Sequence, residues 1–428
     1  MPRVLRIINR LCLGGPTFNA ALLTKHLAPE FETCLLAGVK EDTEESSEFI
    51  LDKLGIAAEY VPTMHRAINP SKDYKAYQHI KQVIKRFKPD IVHTHAAKAG
   101  ALGRLAAYEC GVPVTMHTFH GHVFHSYFGA VKTQFYLEVE RKLAKISNRI
   151  IAISTKQAEE LGDVYKVCKK DKLATVPLGF DLSRFNTDQM DKRIDFRAKY
   201  AIADDEIAIG IVGRLVPIKN HGLFLRALQQ VLSNTTKKIR AFIVGDGEER
   251  ASLMALAQEL GINFVGPEAA ALGQKAPLTF TSWITAVDSV YAGVDVVALS
   301  SLNEGTPVTL IEAQAANKPI VTTNVGGVCD VVLPGKTALI SSSKEVDAFA
   351  ANLLKMVERD GLRSRLGKKG YQHVRRQYGY ERLVGDISEL YYKALWEVQT
   401  GTKRVPVRSL IDLEANLMAT ASSSLLVK

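Results

Sequence analysis

Short apolar runs alternate with longer amphipathic stretches along most of this 428-residue chain. No other feature limits the fold as much, because the alternation indicates βα units and parallel sheets. In the first half the predicted strands are 4–8, 33–37, 90–93, 113–117, 149–153 and 173–176. Helices are expected between them, for instance Tyr74–Phe87, whose polar face carries Lys75, Lys81, Lys85 and Arg86. A second series of strands follows at 207–212, 241–244, 278–280, 294–299 and 319–323. Two successive doubly wound α/β units are the simplest reading. Ligands bind outside the carboxyl ends of the strands in such sheets, so two sheets facing each other predict an active site in the cleft between them. The junction is expected near Val176-Pro-Leu-Gly-Phe-Asp181 through Phe185, with 186–206 as linker and first helix of the second domain.

Composition removes several function classes. Five cysteines are scattered without a CxxC pair, which favours reduced thiols over a disulfide framework or zinc site. The chain enters a strand at Val4 without a signal-like apolar region, and no apolar run approaches the roughly 20 residues that span a bilayer. A cytoplasmic protein is therefore expected. The formal charge of +10 divides as +7 over residues 1–180 and +3 over the rest. Such an excess attracts nucleic acid, anionic membrane or a phosphorylated acceptor. Nucleic acid is excluded as a partner, because no helix-turn-helix, RNP or Cys/His finger pattern accompanies the charge.

The most informative stretch is Ser301-Leu-Asn-Glu-Gly-Thr-Pro-Val-Thr-Leu-Ile-Glu-Ala313. A strand-like run ends in a short loop carrying Glu304. Thr306 and Pro307 then read as N-cap and first residue of a helix, since proline is tolerated where the N–H would be an orphan. The next free N–H groups form a phosphate cradle, and Glu312 lies one turn or more inside the helix. Two carboxylates beside an anion site suit a ligand with hydroxyls on both sides of a phosphate, such as a sugar nucleotide. The competing structural reading is a helix-capping Glu304 and a solvated Glu312.

Glu304, seven intervening residues and Glu312, with Gly305, Thr306, Pro307, Val308, the stretch 316–323 and Gly326-Gly327, resemble the E-x7-E region of retaining glycosyltransferases of GT-B fold, in particular family 4. The resemblance covers about residues 4–396. It implies two Rossmann-like doubly wound domains facing across a cleft: 1–180 on the acceptor side, and 190–378 binding the donor nucleotide-sugar. It also implies a C-terminal helix, 379–399, returning to the first domain. Residues 400–428 have no counterpart and read as a polar, mobile tail.

Further residues take roles from this resemblance. Arg214 and Lys219, in the loop after strand 207–212, would hold the donor diphosphate, the work a metal does elsewhere. With no Asp-x-Asp or ligand cluster, neither metal nor cofactor is expected. Gly14-Gly15 would let the backbone approach a phosphate, or mark only a tight turn. In His117-Thr-Phe-His120-Gly121-His122, the family's His-Gly step falls on His120, whose ring would lie against the transferred sugar. A metal site there lacks carboxylate or Cys partners. His117 and His122 read equally as supporting or acceptor-facing residues. His95 and Lys98, where another strand of the first domain opens into a helix, would face the cleft from the acceptor side. Asp246 reads as fixing its turn, Ser282 replaces the family's common Gly near the base, and 266–277 is longer than the family pattern.

These residues imply a retaining, metal-independent glycosyltransferase, a hexosyl- or N-acetylhexosaminyltransferase. Arg214, Lys219, His120 and Glu304 would carry the chemistry. The donor would be a UDP- or GDP-sugar, and the acceptor a glycan or lipid-linked glycan of polysaccharide or glycoconjugate biosynthesis. The alternatives are a sugar-nucleotide 2-epimerase of the same fold and an inactive GT-B binding subunit. A peripheral position at the inner membrane face is expected from Lys132, Arg141, Lys142 and Lys145, on a helix that also carries Phe135, Tyr136 and Leu137.

Overall fold

The computed structural model describes residues 1–12, 15–41, 46–121 and 130–401. Its first unit comprises Met1–Phe180 with the stretch from Tyr380 onward, and its second Asp181–Gly379. The first sheet contains β1 (Arg3–Ile8), β2 (Glu32–Gly38), β3 (Ala58–Val61), β4 (Ile91–His95), β5 (Val114–Phe119), β6 (Arg149–Ala152) and β7 (Leu173–Thr175). They are parallel, in the order β3-β2-β1-β4-β5-β6-β7. The second contains β8 (Glu206–Val212), β9 (Lys238–Val244), β10 (Phe264–Val265), β11 (Leu278–Ser282), β12 (Val296–Leu299), β13 (Ile320–Thr323) and β14 (Ala338–Ser341). These too are parallel, ordered β10-β11-β9-β8-β12-β13-β14. Both sheets are doubly wound and Rossmann-like, as the alternation predicted.

Central strands are buried along their length, for example Val296–Leu299 and Ile320–Thr323, because helices cover both faces. Three strands were not predicted: β3, β10 and β14. Each closes an edge of its sheet, where one side needs no partner and the sequence need not be continuously apolar. In β3 the run is Ala-Glu-Tyr-Val, with only Val61 buried. The helix predicted at Tyr74–Phe87 begins earlier, at Pro70. Asn69 caps it by accepting from the Lys72 N–H at 3.0 Å, and the polar first turn hides it from hydrophobic periodicity.

The helix Tyr380–Gln399 packs into the core of the first unit. Leu383, Ile387, Tyr391 and Ala394, spaced at three and four residues, are buried. Arg6, fully buried in β1, donates to Thr24 Oγ1 at 2.9 Å and to Tyr391 Oη at 3.0 Å. Arg149, in β6, forks onto both carboxylate oxygens of Glu397 at 2.6 and 2.7 Å. Two buried cations on the sheet thus find their partners on the last helix.

Candidate active site

In the second sheet, neighbouring β8 and β12 mark the point where the strand order reverses, the usual ligand position of such a sheet. Lys219 stands on the turn after β8 and Glu304 in the loop after β12. The Lys219 ammonium donates to Glu304 Oε1 at 2.6 Å, and Ser301 Oγ donates to the same oxygen at 2.6 Å. Ser300 Oγ reaches the Lys219 carbonyl at 3.0 Å, which fixes the turn against the loop. Arg214, on the same β8 loop, is exposed and has no side-chain partner among the described residues.

The helix after the Glu304 loop runs Val308–Ala315, with Pro307 at its N-cap (φ −73°, ψ 92°) and no side-chain cap. This moves the predicted start by one residue: Thr306 precedes the cap and Pro307 is not the first helical residue. Proline's fixed φ suits either place, so composition could not decide between them. The first N–H groups of that helix lack a side-chain acceptor, and Gly305 beside them is exposed and uncrowded. Thr306 and Val308 are half-buried and Pro307 buried.

Glycines press neighbouring loops onto this site. Gly326 has φ +50°, and a Cβ there would lie 1.9 Å from the Glu304 carbonyl oxygen. At Gly327 it would lie 2.0 Å from that of Gly305, while the Gly327 N–H donates to the Glu304 carbonyl at 3.0 Å. Gly245 (φ +143°) meets the Gly213 carbonyl in the same way, at 1.9 Å. Asp246 fixes its turn, accepting from the Gly247 N–H, Arg250 and Ser282 Oγ, each at 2.8 Å. Ser282 itself has φ +60°, a left-handed conformation that explains the glycine expected there. The segment 266–277 contributes a short helix, Pro267–Ala271, before β11.

Glu312 sits inside the helix, its side chain 19% exposed. Tyr291 Oη donates to its Oε2 at 3.0 Å, and Arg184 stands 3.8 Å from Oε1. Burial pushes its carboxyl up to about 7, against the opposing pull of Arg184 and the Tyr291 hydroxyl. The Arg184 guanidinium lies over Phe185, 4.6 Å from the ring centre, and Phe185 meets Tyr291 edge-on at 5.7 Å. Arg184 and Tyr291 were missed by sequence reading. The one signal for Arg184 was its place within the junction, and Tyr291 carried none.

The first unit gathers imidazoles at the carboxyl ends of β4 and β5. His95 Nδ1 and His120 Nε2 are 2.9 Å apart, and His95 stacks on His93 at 4.4 Å. His93 bridges Tyr391 Oη and Thr118 Oγ1, each at 2.7 Å. Burial holds His93, His95 and His117 well below the usual imidazole range, with neighbouring imidazoles adding to it, and lowers His120 to about 3. This cluster is neutral at ordinary pH.

Two expectations need correction. His95 is fully buried against His93 and His120 and presents no acceptor-facing surface. Lys98 donates to Asp73 Oδ1 at 2.7 Å and to the Ala67 carbonyl, so its charge is spent within its own domain. Of the two readings left open for His117, its place within β5, fully buried against Gly100 and Thr94, fits the supporting one. The helix Ala130–Lys145 also differs from a free amphipathic face. Its Leu137 is core, and Arg141 is held by Glu138 and the Tyr165 and Lys166 carbonyls. Gly15 opens the helix Gly15–His26, where a Cβ would press Leu178 at 3.3 Å. Gly14, His122, the Lys132 side chain and residues 402–428 lie outside the described residues. Among the described residues, no group of three His, Cys, Asp or Glu could hold a metal ion, and no helix is long and apolar enough to cross a membrane.

Comparisons with known proteins agree with this geometry. The family model described as glycosyl transferases group 1 matches residues 192–373, and that of glycosyltransferase family 4 matches residues 14–184. The UDP-Gal:alpha-D-GlcNAc-diphosphoundecaprenol alpha-1,3-galactosyltransferase of Escherichia coli is 28% identical over 347 residues, covering 78% of this chain and 84% of that one. A D-inositol 3-phosphate glycosyltransferase of Nocardia farcinica is 28% identical over 326 residues, covering 72% and 67%. Among solved structures, Anabaena HepE in complex with UDP superposes with a TM-score of 0.74 at 18% identity, over 92% of this chain and 100% of that one, a likeness of fold. Glycine-pressed loops around an acidic and a basic residue at a strand-order reversal, and two family models that together span most of the chain, lead to one conclusion: this chain belongs to the family 4, group 1, glycosyltransferases of GT-B fold.

Proposed function

We propose that the chain moves a hexose or N-acetylhexosamine from a UDP- or GDP-sugar to a glycan or lipid-linked acceptor, with retention of configuration and without a metal. The observation that carries this reading is the Lys219–Glu304 pair, 2.6 Å across, beside a helix start without a side-chain cap. Arg214 and Lys219 take the diphosphate, with help from the Val308 end of the helix. Their charge stabilises the leaving group as it departs, and donors arranged in advance need little reorganisation. Glu304 accepts from sugar hydroxyls and Glu312 from the ribose. His120 meets the transferred sugar, and the acceptor attacks from the face the diphosphate leaves. The E. coli relative, named for a diphosphoundecaprenol-linked acceptor, supports a lipid-linked glycan and with it a peripheral position at the inner membrane face.

A thermal-shift panel of UDP- and GDP-sugars tests the donor, since a ligand that binds only the folded state raises its melting temperature. No shift with any of them would sink the reading. Product NMR tests retention, and turnover in chelator tests metal independence. Flotation with anionic vesicles, at low and then high salt, tests the membrane position.

A further inference from the structure

We infer that the first unit meets an anionic lipid surface through the segment 66–75, with Ile68 and Tyr74 entering the bilayer and Lys72 and Lys75 among its head groups. The inference names the surface behind the peripheral membrane position proposed above, and rests on that reading.

The segment follows β3 and runs into the helix Pro70–Phe87. Ile68 is 69% exposed and Tyr74 55%, and the exposed cations Arg66, Lys72 and Lys75 alternate with them along the chain. A lone apolar side chain on a loose loop would need no explanation. Here the backbone is tied on both sides of it. Met64 is fully buried, and its carbonyl accepts from the Val39 N–H at 3.0 Å. The Arg66 N–H donates to Glu41 Oε1 at 3.3 Å. Lys98 donates to the Ala67 carbonyl and holds Asp73 Oδ1 at 2.7 Å. Asn69 gives its N–H to Asp73 Oδ2 at 3.0 Å, and its side chain accepts from the Lys72 N–H at 3.0 Å. Both chain neighbours of Ile68 are therefore bonded, and the isoleucine is held out in water. A loop already fixed loses little further freedom when it binds. Lys98, which does not face an acceptor, holds this loop.

Charge selects the occupant. The segment carries Arg66, Lys72 and Lys75 against one acidic residue, Asp73, whose charge Lys98 already balances. Cations flanking an apolar tip match an anionic bilayer, which takes the apolar side chains below its head groups and the cations among them. A second copy meeting this face across a two-fold axis would bring the same cations together, and they repel. Position agrees with charge. Lys98 stands in the first turn of the helix Ala97–Glu109, directly after β4, so the loop is tied beside the carboxyl end of β4. His120 follows β5, the neighbour of β4, and ligands of parallel sheets gather at that end.

Co-sedimentation with vesicles of phosphatidylglycerol and phosphatidylcholine, against phosphatidylcholine alone, tests the surface. The positions changed are exposed, and a melting temperature near that of wild type checks the fold of each variant. Lys72→Ser and Lys75→Ser should each lower the partition coefficient onto anionic vesicles about fivefold. Ile68→Asn should lower it on the order of 10-fold, the worth of partly burying one isoleucine. In Ile68→Trp, emission should shift to the blue when anionic vesicles are added, beyond any shift from Trp283 and Trp396 in wild type. Lys142→Ser with Lys145→Ser, in the helix Ala130–Lys145, should bind as wild type does. Anionic binding that survives Ile68→Asn and both lysine changes overturns this surface and leaves the peripheral reading standing. An unshifted Ile68→Trp on vesicles that retain the protein does the same. A wild type that binds neither kind of vesicle ends that reading and the surface together. A wild-type dimer that Ile68→Asn separates, measured by analytical ultracentrifugation, puts a second copy on the loop and overturns the lipid surface.

Discussion

The two units build their sites from opposite materials. In the second, charged side chains stand on loops whose backbones are pressed together at Gly213, Gly245, Gly326 and Gly327, so the geometry belongs to the main chain and the charge to Arg214, Lys219 and Glu304. In the first, buried imidazoles make the site, their rings held by stacking and by Tyr391, and burial keeps them uncharged. Under the proposed function the contrast would be a division of labour, with a diphosphate met by fixed charge near water and a neutral sugar by hydrogen-bonding groups that stay neutral.

The sharpest break in this comparison comes from charge. Arg214→Ala and Lys219→Ala should each slow turnover on the order of 100-fold or more, the loss expected for a transition-state charge contact. Steady-state kinetics with folding checked by circular dichroism measures it, and unchanged turnover in both would remove the assignment. Next come the two carboxylates, on the order of 10-fold each, about the worth of a charge-assisted hydrogen bond. Calorimetry should find Glu312→Gln weaker for UDP itself, and Glu304→Gln weaker only for the sugar-bearing donor.

The pH response should separate the units. Glu312 titrates near 7 when folded, above its ordinary 4.5, so the folded state holds the extra proton between those values. That contribution to stability fades as pH rises from about 4.5 to 7. Ribose binding by the ionised carboxylate should make UDP affinity rise between pH 6 and 8, with the rise absent in Glu312→Gln. The histidines run the other way. Their folded values lie below 6.5, so the unfolded chain gains protons first, and stability is lost as pH falls below about 6.5. Hydrogen exchange at pH 5 should show the first unit opening before the second, and the reverse order would contradict the neutral cluster. The smallest effect is expected at Ser282. Glycine there relieves the left-handed backbone but loses the 2.8 Å bond to Asp246, so its melting temperature should stay within a few degrees of wild type, offsetting terms of about 1 kcal/mol each.

Buried central strands, the Gly-Gly pair and the carboxylate spacing were legible in the sequence, because each is local. Edge strands β3, β10 and β14 were not, since an edge imposes no continuous apolar pattern. Nor were the partners. Nothing local ties Tyr291 and Arg184 to Glu312, 21 and 128 positions on, yet they oppose the rise that burial gives its carboxyl. His95 and Lys98 show the same blind spot from the other side. A charged or imidazole residue after a strand reads as ligand-facing until its partner, His120 or Asp73, is seen.

The closing helix has a consequence for how the protein is made. The first unit lies at both ends of the chain, with the whole second unit between them. A ribosome that has released residues 1–180 has therefore not yet supplied Tyr391 or Glu397, the partners of buried Arg6 and Arg149. Unpartnered cations in that core are costly, so the first half must wait, incompletely packed, while the second unit is synthesised and folds. Biosynthesis thus inverts the order of the sequence: the domain begun first is finished last, and a nascent chain stopped at residue 379 should hold a folded second unit beside an unfinished first.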